Sequence, residues 1–210
     1  LVKKPSIILV GTGISEILET PKGWGAVETV VMGYYNILKD LDYDVKIVNR
    51  TDKNYQQMIK DVNDFDPDVV YVMYDDRQDI IPYINCKRIF YTAHWAYLAQ
   101  LENQDIQKRH YYHNVFKKSL EHNNIRYISL SNDIKNIYMN FGISENRIKV
   151  IRNGLNNNLF KFTSECEYPD KSIYLAKIDY RKRQYLFQYI RNLDFYGPIA
   201  DERYNKNNDN

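Results

Sequence analysis

Short apolar runs separated by amphipathic stretches recur along the first 151 residues, and this rhythm constrains the fold more than any single motif. Ile7–Val10, Val45–Val48, Val69–Val72, Lys87–Thr92, Arg126–Leu130 and Arg147–Ile151 are too short and too apolar for surface elements, so they read as buried strands. Between them, residues 26–41 place Val27, Val30, Val31, Tyr34, Ile37, Leu38 and Leu41 at three- and four-residue steps, which predicts a helix with one buried face. Further helices are predicted at Tyr55–Asp64, at Ile106–His122, and from an N-cap at Ser131 through Met139, with Gly142 ending the last. Strand–helix alternation of this kind implies a doubly wound parallel sheet of an α/β domain, covered on both faces. Ligands of such sheets bind beyond the carboxyl ends of the strands, where loops at Gly11, His94 and Ser131 would gather.

The rhythm breaks in a polar stretch after Asn156 and restarts near Ser172. Residues 1–156 are therefore expected to form one Rossmann-like domain, residues 157–170 a linker, and residues 171–210 the beginning of a second. In that second part, a strand Ser172–Ala176, a helix Lys182–Arg191 and a strand Asp194–Tyr196 are expected.

Composition narrows the function classes. A net charge of +2 and a pI near 8.3 give no basis for nucleic-acid binding. Cys86 and Cys166 lack metal-ligand spacing and form no disulfide framework, which suits a reducing cytoplasm. The apolar run Ser6–Val10 is too short for a signal peptide or a membrane span. Tyrosine is abundant, at 20 residues, and coding bias explains that excess better than a binding surface.

Four stretches could carry chemistry. Gly23-Trp24-Gly25-Ala26-Val27-Glu28 opens the first long helix, where glycines permit a tight turn and exposed N–H groups favour an anion. Its plainer role is a helix start with Glu28 at the positive dipole end. His94, at the end of a central strand, projects toward the ligand edge; alone it would more often be a structural histidine. Asn153-Gly154 supplies a tight turn where the chain leaves the first domain. Lys177 and Lys182 flank a strand-to-helix loop, and two cations there can neutralise a diphosphate, although a solvated basic helix start is the commoner case. Gly11-Thr12-Gly13-Ile14-Ser15-Glu16 lacks the last glycine of a dinucleotide fingerprint and the acid after the second strand, which argues against a nicotinamide enzyme. Asp75 and Asp76, shortly after the third apolar run, are adjacent and would point apart on a strand.

Taken in order, these stretches resemble the signatures of the family 4 glycosyltransferases, over nearly the whole chain. The resemblance implies two facing Rossmann-like domains and retaining transfer of a sugar from a nucleotide-diphosphate donor to a hydroxyl on a glycan, lipid or protein. It implies no protein-bound metal and no cofactor beyond the donor itself, and it is compatible with peripheral contact to a membrane. Gly23, Trp24, Gly25 and Glu28 would form the acceptor loop, His94 would lie beside the reacting carbon as the catalytic residue, and Lys177 and Lys182 would hold the donor phosphates. The chain departs from the family pattern at Trp95, where an acid often stands, at Arg152 and Asn156 around the Asn-Gly turn, and at Ala176 and Arg183, which replace glycines. The resemblance also implies a remaining part of the donor domain with a paired-glutamate motif. The rival expectation is a non-catalytic binding module derived from a truncated transferase. A sugar-nucleotide epimerase is weaker, because no Tyr-x-x-x-Lys pair follows a suitable strand.

Overall fold

Six strands pair in parallel in the order β2-β1-β3-β4-β5-β6: β1 Ile7–Val10, β2 Val45–Val48, β3 Val69–Val72, β4 Ile89–Thr92, β5 Ile125–Ser129 and β6 Ile148–Val150. This computed structural model describes residues 3–11, 25–49, 54–94, 113–114, 116–154, 158, 161 and 165–204. The described chain divides into two compact units, Leu1–Gly154 and Leu155–Asn210.

β1 sits between β2 and β3, and all four of its residues are buried, as a strand covered on both faces demands. The chain steps from β1 to β2 on one side and returns past β1 to β3, so the direction of winding reverses at the β1/β3 pair. A parallel crossover is right-handed, and the reversal therefore sends successive helices to opposite faces. The helix α1, Ala26–Asp40, packs with Ile7, Leu9, Val45, Ile47, Tyr71 and Met73 on one face. The helix α2, Tyr55–Phe65, packs with Ile8, Val10, Val70 and Val72 on the other. The helix α3, Asn132–Asn140, joins that second core, as does Phe116 in the helical residues 116–120. This is a Rossmann-like α/β fold, as the alternation of apolar runs predicts.

The odd and even residues of each strand divide between the two cores because side chains alternate across a pleated strand. A fully buried Ile, Leu or Val contributes about 1.5–3 kcal/mol. Tyrosine serves both surface and core: Tyr83, Tyr168, Tyr180, Tyr189 and Tyr196 are exposed, while others are buried. Tyr91, Tyr127 and Tyr138 are buried around Phe116, with Tyr138 stacked on it at 5.5 Å, and Tyr71 lies edge-on to Tyr34 at 5.6 Å. These rings fill one part of a core that is otherwise mainly aliphatic.

The helix caps follow local chemistry. Asn54 accepts from the Gln57 N–H at 3.0 Å and Ser131 from the Ile134 N–H at 3.2 Å, each satisfying a donor that the helix start leaves open. Gly142 follows α3 at φ 91, in the place expected for its end. A 3-10 stretch, Asp75–Tyr83, had no counterpart in the expectations: it leaves β3 and lies against β3, β4 and α2.

In the second unit, β7 Ser172–Leu175 and β8 Leu193–Tyr196 pair in parallel, and a further bridge joins Ile178 and Ile199. The expected α-helix over Lys182–Arg191 does not form. The connection instead makes two 3-10 turns, Tyr180–Lys182 and Gln184–Leu186, with Arg183 between them at φ 56. The side chain of Gln184 explains this. It is fully buried, donates to the Lys177 carbonyl at 2.9 Å and accepts from the Asp179 N–H at 3.2 Å, folding the loop back on itself. Gly197, at φ 151, lets the two strand ends meet: a Cβ there would lie 2.0 Å from the Ala176 carbonyl oxygen.

Candidate functional site

The carboxyl edge of the six-stranded sheet is where the strand-to-helix connections begin, and His94 lies there, beyond the end of β4. Gly23 and Trp24 fall outside the described residues. Gly25 is the residue before α1, in the left-handed region at φ 114, and its carbonyl accepts from the N–H and hydroxyl of Thr29. The Glu28 side chain folds back over it: a Cβ on Gly25 would meet Glu28 Oε2 at 2.7 Å. Glu28 is the third residue of the helix, from which a carboxylate reaches the open N–H groups of the first turn. Gly25 and Glu28 therefore act together as a helix start, whatever else they do.

His94 is the second residue beyond β4. Its Nε2 is buried and has no hydrogen-bond partner, and burial alone pushes the imidazole below its usual pKa of 6.5. The ring is therefore held neutral near pH 7, with one nitrogen in reserve to give or accept a hydrogen bond. A structural histidine is ordinarily satisfied at both nitrogens, so the unpartnered Nε2 marks His94 as available to a ligand.

Against β4 the structure packs a polar layer that the sequence concealed. Asp75, Arg77 and Gln78 are buried at the start of the 3-10 stretch. Asp75 accepts from the Tyr91 hydroxyl at 2.8 Å, and Arg77 lies over the Tyr55 ring at 5.4 Å. Burial and the Asp75 carboxyl hold the Tyr91 hydroxyl protonated well beyond the ordinary range. Asp75 is thus off the strand altogether, and the geometry considered for adjacent strand residues does not apply to it. The available signal was a charged run directly after an apolar strand, at the edge where ligands bind.

In the second unit, Lys177 and Lys182 occupy one loop at the carboxyl end of β7. Both side chains are half-buried. The backbone between them is pinned: Tyr174 donates its hydroxyl to the Lys182 carbonyl at 3.2 Å, and Gln184 holds the Lys177 carbonyl. Lys182 ends a 3-10 turn, so no α-helix dipole bears on it. On the neighbouring loop after β8, Arg203 forks onto the buried Asp201 at 2.9 and 3.0 Å and lies 3.8 Å over the Tyr185 ring. Arg203 holds the Asp201 carboxyl below the usual range.

Among the described residues no three His, Cys, Asp or Glu side chains converge as metal ligands, and no helix is long and apolar enough to cross a membrane. Compared with protein-family models, curated proteins and solved structures, the chain matches nothing.

Proposed function

We propose that this chain is part of a cytoplasmic, retaining glycosyltransferase that moves a sugar from a nucleotide-diphosphate donor to a hydroxyl acceptor. The observation that carries this is His94: a neutral histidine at the carboxyl end of a central parallel strand, with a buried and unpartnered Nε2. Such a nitrogen can hydrogen-bond a sugar hydroxyl beside the reacting carbon at no cost in charge desolvation. The resemblance of the Gly25–Glu28 helix start and of the Lys177–Lys182 loop to family 4 glycosyltransferase signatures supports the same assignment. In it the acceptor rests near the α1 start. The two lysines take up negative charge on the departing diphosphate, a contact that strengthens as the sugar–phosphate bond breaks.

Calorimetric titration of the full-length protein with uridine and guanosine diphosphate sugars tests the proposal. Binding of one of them, weakened by His94→Ala, is expected; silence toward every nucleotide sugar removes it.

A second reading, a binding module without catalysis, gains from one observation: the loop carrying Lys177 and Lys182 lacks the helix start that would add its dipole to a phosphate site. Binding without transfer to any hydroxyl acceptor would favour the module.

A further inference from the structure

At the carboxyl edge of the sheet, the hydrogen-bond ladder runs one residue past several strands. The N–H of Gly11 donates to the Val48 carbonyl at 3.0 Å, that of Met73 to Val10 at 3.1 Å, and that of Ile151 to Ser129 at 2.9 Å. β4 behaves differently. The N–H of Ala93, the first residue beyond it, donates to the Tyr138 hydroxyl at 3.3 Å, from a helix 45 residues away in sequence. Both residues are buried, at 5% and 1% exposure. One residue earlier, the Thr92 hydroxyl is hydrogen-bonded to the Tyr71 hydroxyl at 2.7 Å on the opposite face. The end of β4 is thus clamped from both faces immediately before His94.

We propose that Tyr138 is the positioning residue for His94: its hydroxyl takes the Ala93 N–H away from the neighbouring strands and fixes where β4 leaves the sheet. The ring cannot drift, because it is stacked on Phe116 at 5.5 Å and packed on Tyr127 at 5.4 Å. A buried N–H must be satisfied, and a neighbouring carbonyl would extend the ladder and turn the next side chain elsewhere. A phenolic hydroxyl on a packed ring ends the strand at one defined residue. For catalysis, the assignment rests on the proposal that His94 faces a ligand.

The test is Tyr138→Phe, which deletes the hydroxyl and keeps the ring, with Tyr127→Phe as a control from the same aromatic cluster. Amide exchange and the His94 imidazole resonances are followed by NMR in the protein without ligand. Tyr138→Phe should speed exchange at Ala93 about tenfold or more relative to other core amides, and should shift the His94 resonances and raise their titration midpoint. The control should leave both as in the parent. Unchanged His94 resonances in Tyr138→Phe, or equal changes in the two variants, would overturn the proposal. Should Tyr138→Phe not fold, the parent decides: an Ala93 amide exchanging as fast as exposed loop amides overturns it, and a protected one upholds it. These readouts need no nucleotide sugar, so a failure of the transferase assignment would be seen separately in the calorimetry. With an active enzyme, Tyr138→Phe should lower kcat about tenfold or more with KM little changed.

Discussion

The Tyr91 hydroxyl donates a 2.8 Å hydrogen bond to the Asp75 carboxyl, with both residues buried. This bond ties the middle of β4 to the 3-10 stretch that follows β3. Removing the hydroxyl leaves a buried acceptor one bond short, so Tyr91→Phe should destabilise the protein by about 2 kcal/mol. Tyr83→Phe, at an exposed residue near the end of the same 3-10 stretch, should change stability by less than about 0.5 kcal/mol. Urea denaturation of the two variants side by side measures the difference. Equal stabilities would mean that the Asp75 contact adds nothing to the fold.

Two glycines should respond oppositely to alanine. Gly33 lies inside α1 with open space where a Cβ would be, so Gly33→Ala should stabilise by about 0.5–1 kcal/mol through helix propensity. Gly197→Ala would drive a methyl into the Ala176 carbonyl and strain a positive φ. The second unit should then open, and limited proteolysis within residues 172–200 should become markedly faster. Resistance equal to the parent would show that the β7–β8 junction is not as close as described.

Stability should fall as the pH is lowered below about 6.5, in part through His94. Burial depresses its pKa in the folded state, so the unfolded chain takes up the proton first. The unfolded state then binds more protons, and the stability curve slopes upward with pH across the window between the depressed value and 6.5. Above 6.5 the contribution is fully present. His94→Gln should flatten this part of the curve in denaturation experiments run from pH 5 to 7.5; an unchanged slope would assign the effect to other groups.

Lys182→Ala should alter folding stability by less than about 0.5 kcal/mol, because the contact that Lys182 makes with Tyr174 uses its carbonyl and survives the change. In an active full-length enzyme the same substitution should reduce turnover about a hundredfold, as expected when a charge-assisted contact to a leaving group is lost. Lys177→Ala should do likewise. Turnover within twofold of the parent for both would place the diphosphate elsewhere.

The sheet was legible from the chain because buried parallel strands are short unbroken apolar runs; β1, β2 and β3 begin and end at the residues that hydrophobicity marks. The same holds for α1 and α2, whose apolar spacing exposes their period, and for the cap at Ser131. His94 was legible as a strand-end residue, because its position follows from where β4 stops.

Other features depended on contacts between residues distant in sequence. The order of strands, with β1 between β2 and β3, is not a property of any local segment, since each strand could pair with any other of similar apolarity. The 3-10 course of Asp75–Tyr83 is set by burial against β3, β4 and α2, against the polar character of its first residues. The apparent helix after Lys182 gives way because Gln184, a good helix former, satisfies both ends of its amide on the backbone of its own loop. Tyr71, Tyr91 and Tyr138, lost to the eye in a tyrosine-rich composition, enter the core because phenol rings fill volume while their hydroxyls reach Thr92, Asp75 and the Ala93 N–H. Periodicity is local and was visible in the residues themselves. Where a buried polar group finds its partner is decided only when distant segments meet.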